Sequence, residues 1–328
     1  MPTWSGILQE LQQSIRNGQV DFDGVRRKYL TALHVYTGRD VILYATKWTI
    51  PDPNVPPVLL SINDEDLQGI MEVICGLNGS ELDLIIHSPG GSPMAAEGIV
   101  TYLRSKFSNI RVVVPQLAMS AATMIACAGD SILMGKHSFL GPIDPQLQLS
   151  TSLGARSVPA QAVLDQFDRA VKECQDPSKL AAWMPMLSQY GPDLLAVCEN
   201  SIGMARDLVR GWLRQYMFHS DPQAARKARR IADWLSQHNY FKSHGRHIPR
   251  TELVNRGLVV EQLEDDQNLQ DLVLSVFHAT THTFGGPTVK IIENHLGKAF
   301  IKQVRPVQIV APSAPSVPQP SPQAPPNV

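Results

Sequence analysis

The segments IIHSPGG (residues 85–91) and AMSAATMIACAGDSILM (residues 118–134) decide the fold of this chain. The first follows a short apolar run at residues 82–86, and the second follows a β-branched run at residues 110–114. Each segment leads into residues with helical spacing. The pattern predicts a strand, a tight turn and a helix, formed twice in succession within residues 82–146.

The two turns carry residue types suited to hydrolytic chemistry. A serine at a strand-to-helix turn, here Ser120, holds its hydroxyl near a helix N-terminus, where unpaired N–H groups face outward. The adjacent Gly90 and Gly91 let backbone N–H groups come close to a developing oxyanion. Alone, each motif is also consistent with a plain turn or a helix cap. Together they predict a nucleophile and an oxyanion hole in one cleft.

Three segments resemble the Clp protease and crotonase superfamily, on its signal peptide peptidase A side, and are most similar to the serine dehydrogenase proteinase family. They are IIHSPGG (85–91), AMSAATMIACAGDSILM (118–134) and LGPIDPQ (140–146). The resemblance implies an α/β fold, a Clp protease/crotonase-like spiral of ββα units with added N- and C-terminal helices. It also implies that Ser120 is the nucleophile and that the N–H groups of Gly91 and Ala121 form the oxyanion hole. The 29 residues from Gly91 to Ser120 suffice for the helix and strand of a βαβ crossover.

The rest of the chain divides into further predicted parts. Helical spacing in residues 1–40 predicts an N-terminal arm. Residues 41–300 are expected to form the Clp/crotonase-like serine peptidase domain, with a helical insertion at about residues 157–240. Residues 306–328 contain eight prolines and no charged side chain. That composition predicts a disordered Pro-rich tail.

The serine needs a base, since a protonated hydroxyl is a weak nucleophile. In the signal peptide peptidase A group the base is a lysine roughly fifty residues after the serine. The resemblance therefore points to Lys172, which follows Ser120 by 52 residues, with Lys179 as a second candidate. A lysine serves as a base when burial favours its neutral form.

A histidine is the alternative base. The base histidine of the Clp proteases would fall near residues 143–144, where this sequence has Ile-Asp. His244 lies near the place where Clp proteases keep their acidic triad member, so His244 and Asp144 could act with Ser120 in exchanged positions. Asp144 between two prolines is also typical of a simple turn.

Composition describes a globular protein without an obligatory charged partner. The 328 residues are 43% hydrophobic and 18% charged, and a net charge of −1 gives no reason to expect nucleic acid or a membrane surface as a partner. No run of 18 apolar residues occurs, so no integral membrane segment is expected and the cytoplasm is the simplest localisation. Four cysteines form no CxxC pair. No cofactor and no metal are expected.

The sequence thus predicts a serine endopeptidase that hydrolyses unfolded or extended polypeptides. The superfamily implies a homo-oligomer, and an unknown regulatory partner stays open. Two other functions are compatible with the pattern. A catalytically silent Clp-fold scaffold or partner-binding protein would explain the missing histidine. A crotonase-like acyl-CoA enzyme would use the oxyanion hole on a thioester, but would leave the Ser120 motif unexplained.

Overall fold

A mixed seven-stranded sheet forms the centre of the chain in a computed structural model, which describes residues 2–16, 18–151 and 154–304. The helices are α1 (Trp4–Gln13), α2 (Phe22–Thr37), α3 (Pro57–Leu60), α4 (Asp66–Ile74), α5 (Pro93–Lys106), α6 (Ala121–Cys127), α7 (Ala160–Glu173), α8 (Pro177–Leu187), α9 (Leu194–Gln215), α10 (Ala224–Leu235), α11 (His238–Phe241), α12 (Arg250–Arg256) and α13 (Gln267–Thr283), with a 3-10 turn at Leu263–Asp265. The strands are β1 (Ile15–Arg16), β2 (Gln19–Val20), β3 (Asp40–Thr46), β4 (Glu81–His87), β5 (Asn109–Val114), β6 (Leu117–Ala118), β7 (Ser131–Met134), β8 (Phe139–Leu140), β9 (Gln146–Thr151), β10 (Gly154–Pro159), β11 (Ile248–Pro249), β12 (Val260–Gln262), β13 (Thr288–Asn294) and β14 (Ala299–Gln303).

The strand order confirms the predicted α/β architecture. The large sheet has the strand order β12-β7-β5-β4-β3-β13-β14. The strands from β12 to β3 are parallel to one another, while β13 is antiparallel to both of its neighbours, β3 and β14. A small sheet, β11-β8-β6, lies beside it. Parallel strands covered on both faces need apolar side chains on both sides, which is why residues 84–86 of β4 and 112–114 of β5 are all apolar. Their carboxyl ends meet at one edge, where the two predicted turns lie.

Each face of the sheet supports its own hydrophobic core. Helices α4, α5, α6, α9 and α10 cover one face, and α2 and α13 cover the other. The alternation along β4 places Leu84 in the first core and Ile85 in the second. The predicted helices of the N-terminal region are present, and Leu30 and Leu33 of α2 pack on the sheet. The predicted domain limits stay predictions, and the predicted tail at residues 306–328 lies outside the described residues.

Four helices, α7 to α10, occupy most of the region predicted to be a helical insertion. Its first helix begins at Ala160, because residues 154–159 pair as β10 with β9 in an antiparallel hairpin. Helices α9 and α10 contribute Val209, Leu213 and Ile231 to the first core, so they are packed onto the domain. None of the helices within residues 2–16, 18–151 and 154–304 has both the length and the apolar character needed to span a bilayer.

Candidate active site

The two predicted turns are joined by backbone hydrogen bonds. Ser88 N–H donates to the carbonyl of Leu117 at 3.2 Å, and Met119 N–H donates to the carbonyl of Ser88 at 3.0 Å. These bonds pair the exit of β4 with β6, the strand that leads to Ser120. The Pro-Gly-Gly turn and the serine turn therefore lie side by side.

Ser120 occupies a strained backbone conformation. Its φ is 53° and its ψ is −119°, and within the described residues only Lys242 shares a positive φ among non-glycine residues. Ser120 precedes α6, but its hydroxyl makes no capping hydrogen bond, so it does not act as an ordinary helix cap. A serine on a sharp strand-to-helix turn presents its hydroxyl outward, and strain of this kind is typical of functional sites.

Gly90 lies against the serine turn with no room for a side chain. A Cβ at Gly90 would lie 2.6 Å from both the Met119 carbonyl oxygen and Ser120 Cβ, and 2.8 Å from the Ala121 nitrogen. The φ of Gly90 is +95°, which also favours glycine. The close approach explains why the sequence has glycine here and sets the spacing between the two turns.

Gly91 and Ala121 each provide an N–H group for which the described part of the chain offers no acceptor. Ile62 N–H donates to the Gly90 carbonyl at 2.7 Å, and Ser92 N–H donates to the Ile62 carbonyl at 2.8 Å. In parallel pairing of this kind the N–H and C=O of Gly91 itself point to the side opposite Ile62. Neither the Gly91 nor the Ala121 N–H has an acceptor within the described residues. Ser120 and Ala121 thus lie in close contact with Gly90, the residue directly before Gly91.

Asp144 is buried and is held by two histidines. His244 Nδ1 lies 2.8 Å from Asp144 Oδ1, and His238 Nδ1 lies 2.8 Å from Asp144 Oδ2, while the Asp144 side chain is 2% exposed. Each ring thereby keeps its Nε2 free of this carboxylate. The alternative pair predicted from sequence, His244 with Asp144, is brought together.

The segment that carries Asp144 runs beside the serine turn. Strand β8 is parallel to β6, with Leu140 opposite Ala118. One residue further on, a Cβ at Gly141 would lie 3.3 Å from Met119 Cα. Asp144, three residues after Gly141, therefore lies on a backbone segment that contacts the Ser120 turn, and it brings the two histidines to this region.

Sequence reasoning missed His238. It lies 94 residues from Asp144, and its position depends on how α10 and α11 turn after Leu235. The Leu235 carbonyl accepts a hydrogen bond from Ile143 N–H at 3.0 Å, which joins the end of α10 to the Asp144 segment. No motif in the sequence marks this histidine.

Lys172 lies exposed on α7, and its ammonium group makes no hydrogen bond or ion pair within the described residues. Lys179, on α8, is exposed as well. The burial that a lysine base requires is absent at both positions. The catalytic role of Lys172 stays a prediction, and the structure does not join it to the serine turn.

His87, three residues before Gly90, is buried and neutral. Burial lowers its pKa to about 4, with a smaller opposing effect from the Leu117 backbone. Its Nδ1 has no partner within the described residues. The imidazole packs between Trp48 and Phe277, at centroid distances of 5.8 and 5.1 Å.

Acidification is expected to destabilise the fold through His87. Because its pKa is lower in the folded than in the unfolded chain, its contribution is complete above about pH 6.5 and is lost as the pH falls toward 4. The loss is on the order of 3 kcal/mol. We expect the free energy of urea unfolding to fall less steeply across this window in His87→Phe than in wild type. Equal slopes would contradict the assignment.

Another cluster, His34, Asp40 and His295, brings three potential ligand atoms within 4.8 Å of one another. The two rings stack at 3.7 Å and 10°, so a cation cannot lie in both ring planes. His295 Nδ1 accepts the Val41 N–H at 3.2 Å, which places its proton on Nε2. These contacts do not fit a metal ion.

The fold and the turns define a class of protein. A serine on a strained turn between a strand and a helix, beside two free N–H groups, is an arrangement typical of serine hydrolases built on α/β sheets. The chain belongs to the family of ClpP-like SDH-type serine proteinases, whose family model matches residues 56–261, more than half of the chain. The resemblance identified from the sequence is confirmed.

Two uncharacterized proteins of Methanocaldococcus jannaschii are similar to this chain. One is 44% identical over 92 residues, covering 28% of this chain and 32% of the relative. The other is 26% identical over 185 residues, covering 56% of each. The chain thus spans about a third of the first relative and about half of the second.

Solved structures show a looser likeness. A serine-to-alanine mutant of the 1510-N membrane-bound stomatin-specific protease matches at 15% identity and a TM-score of 0.37, covering 65% of this chain and 79% of that chain. A lysine-to-alanine mutant of the same protease, in complex with a substrate peptide, matches at 16% identity and a TM-score of 0.35, covering 59% and 64%. Similarity at these TM-scores does not identify site residues in this chain.

Proposed function

We propose that the chain hydrolyses peptide bonds in unfolded or extended polypeptides, with Ser120 as nucleophile and the N–H groups of Gly91 and Ala121 as oxyanion hole. The observation that carries the proposal is the strained Ser120 turn packed against Gly90, next to the Gly91 and Ala121 N–H groups, which have no acceptor within the described residues. Strain of this kind costs on the order of 1–3 kcal/mol and is kept where a site needs it. Family membership supports peptide hydrolysis over acyl-CoA chemistry.

In the proposed reaction the Ser120 hydroxyl oxygen attacks the carbonyl carbon of the scissile bond and its proton passes to a base. The carbonyl oxygen becomes an oxyanion and accepts hydrogen bonds from Gly91 and Ala121. The base returns the proton to the leaving amine, and water then hydrolyses the acyl-enzyme. Each oxyanion donor contributes roughly a hundredfold to a thousandfold in rate.

We assign the base to His244, oriented by Asp144. Its Nδ1 is bound to the carboxylate, which leaves Nε2 to take the serine proton, as in a Ser-His-Asp triad. His238 binds the other oxygen of Asp144 and holds the carboxylate in place. No hydrogen bond joins Ser120 to His244 in the described residues, and catalytic hydrogen bonds are often long or poorly aligned without substrate.

The outward edge of Gly91 supports a preference for extended substrates. Ile62 occupies one edge of this segment, and the N–H and C=O of Gly91 point to the other. An extended peptide can add there as a strand, with backbone hydrogen bonds that make little demand on sequence. The homo-oligomer implied by the resemblance remains part of this proposal, and an unknown regulatory partner stays open.

A catalytically silent scaffold is the second candidate. The observation that favours it is the absence of a hydrogen bond between Ser120 and any base within residues 2–16, 18–151 and 154–304. An unactivated serine would not react with a phosphonylating reagent.

Labelling by a serine-directed fluorophosphonate tests the base. We expect His244→Gln to lower the labelling rate about a hundredfold, because general bases contribute factors of this size. Lys172→Ala should label within twofold of wild type. His247→Gln is the matched control, since His247 stacks on Phe139 at 5.2 Å and does not bind Asp144.

The outcomes separate the candidates. Loss of labelling in Lys172→Ala, with normal labelling in His244→Gln, would establish the serine-lysine pair instead. A wild type that never labels between pH 5 and 9, a range spanning the ordinary pKa of histidine, would leave the scaffold function standing.

A further inference from the structure

A buried ion pair holds residues 61–63, the segment that pairs with the turn carrying Gly90 and Gly91. Lys290 of β13 and Asp66, the first residue of α4, are both fully buried. Lys290 Nζ lies 2.6 and 2.8 Å from the two Asp66 carboxylate oxygens and 2.8 Å from the Ser61 carbonyl oxygen. Since an ammonium has three N–H donors, all are used, and Lys290 acts as a fixed cation rather than as a base.

The ion pair binds both ends of the segment 61–63, which pairs with the Gly90–Gly91 turn. Asp66 Oδ2 also accepts the Asn63 N–H at 3.0 Å, while Lys290 holds the Ser61 carbonyl. Ile62, between these two residues, makes both backbone hydrogen bonds to the Gly90 to Ser92 segment. The position of Gly91 is therefore set by a three-residue segment, 61–63, whose two ends are fixed by one ion pair.

Tyr44 provides a second connection to the same turn. Its hydroxyl donates to Asp66 Oδ2 at 2.8 Å, and the nearby Ser88 side chain has a smaller, lowering effect on the Tyr44 pKa. Ser88 Oγ in turn accepts the Gly90 N–H at 3.2 Å. Burial, and then Asp66, raise the pKa of Tyr44 well above its ordinary value, so the phenol stays a donor. Asp66 is thus connected to the turn by two routes, one through Asn63 and Ile62 and one through Tyr44 and Ser88.

Stability alone gives a weak reason for this arrangement. Two charges taken out of water lose hydration that their attraction only partly returns, and apolar residues of similar size are often as stable. Charged hydrogen bonds also fix the orientation of the backbone groups that they bind. Here the oriented groups hold the Gly90–Gly91 turn through the backbone of Ile62 and the hydroxyl of Ser88.

We infer that Asp66, Lys290 and Tyr44 are positioning residues that hold the oxyanion hole in its reactive geometry. The inference rests on the proposed function for the role of Gly91. Loosening the network should slow attack by Ser120 and leave substrate binding nearly unchanged, because a displaced donor weakens the transition state more than the bound substrate.

The test compares two variants with matched controls in the full chain. Tyr44→Phe removes one hydroxyl, and Lys290→Met removes the cation. Tyr29→Phe removes, from a helix that covers the opposite face of the sheet, a hydroxyl bound to Glu10, and Arg26→Met breaks another buried ion pair, with Glu293 on the same strand β13. Each variant is measured by amide hydrogen exchange at the turn and by the rate of fluorophosphonate labelling.

We expect Tyr44→Phe and Lys290→Met to raise the exchange rates of the Ile62, Gly90 and Ser92 amides about tenfold. The labelling rate should fall about tenfold in both, with the KM for a peptide substrate within twofold of wild type. Tyr29→Phe and Arg26→Met should change neither the exchange at these amides nor the labelling rate. If Lys290→Met does not fold, Tyr44→Phe decides, since it preserves the ring.

Two results would overturn the inference. One is unchanged exchange at the turn in Tyr44→Phe. The other is faster exchange with full labelling and unchanged kcat, in a wild type that labels on Ser120. A wild type that does not label refutes the proposed function separately. In that case the exchange comparison alone decides whether the network holds the turn.

Discussion

Replacement of Ser120 by alanine is expected to abolish fluorophosphonate labelling and to lower peptide hydrolysis at least about ten-thousandfold, because the nucleophile is lost while the oxyanion hole remains. The fold should persist, since the Ser120 hydroxyl makes no capping hydrogen bond. Intact-mass detection of the adduct and hydrolysis of an unfolded protein substrate are the two measurements.

The backbone strain at Ser120 gives this prediction a second, independent readout. With φ at 53° and ψ at −119°, the residue lies where glycine fits best. Ser120→Gly should therefore also lose labelling and yet raise the free energy of unfolding by about 1 kcal/mol. A thermal or urea unfolding curve checks this shift.

Ser92 offers a matched control for both measurements. It also stands between a turn and a helix, but its φ is −67° and its hydroxyl accepts the Ala95 N–H, as an ordinary helix cap does. Ser92→Ala should lose about 1 kcal/mol of stability and keep its labelling. Labelling that persists in Ser120→Ala would show that another residue reacts and would refute the assigned nucleophile.

The sequence predicted the layered fold and the serine turn because their signals are local. An apolar strand followed by Pro-Gly-Gly, or by a serine and small residues, has few other structures available. The exposed β9 and β10 hairpin was missed, since a strand pair that covers little of the core carries a weak apolar pattern.

The exposure of Lys172 has a geometrical cause. Its apolar neighbour Val171 is itself 54% exposed. The buried face of α7 is formed by Ala160, Val163 and Ala170. Lys172 follows Ala170 by two positions, roughly 200° around the helix, so it faces solvent.

Contacts between distant residues could not be predicted for a different reason. Lys290 and Asp66 are 224 residues apart, and their pairing depends on β13 lying next to β3 in an antiparallel register. No spacing within the sequence encodes that register. The same holds for His238 on Asp144, which local patterns cannot identify because each residue alone is typical of a surface turn.

Gly90→Ala is expected to lower the labelling rate of Ser120 about a thousandfold. The added methyl would lie 2.6 Å from the Met119 carbonyl oxygen and from Ser120 Cβ, so the two turns must separate. Separation moves the oxyanion donors away from the developing charge, and losing such a donor costs a hundredfold to a thousandfold. The positive φ of +95° adds backbone strain, so the free energy of unfolding should also fall by about 1–3 kcal/mol.

Gly98→Ala separates the effect of geometry from that of a glycine substitution as such. Gly98 lies in the interior of α5, and a Cβ there would meet nothing within 4 Å. It should label like wild type and gain about 0.5–1 kcal/mol, because alanine is the better helix former. Normal labelling in Gly90→Ala would mean that the serine reacts without the close contact of the two turns. The oxyanion hole would then have to be formed elsewhere, since a turn displaced by a methyl group could not supply it.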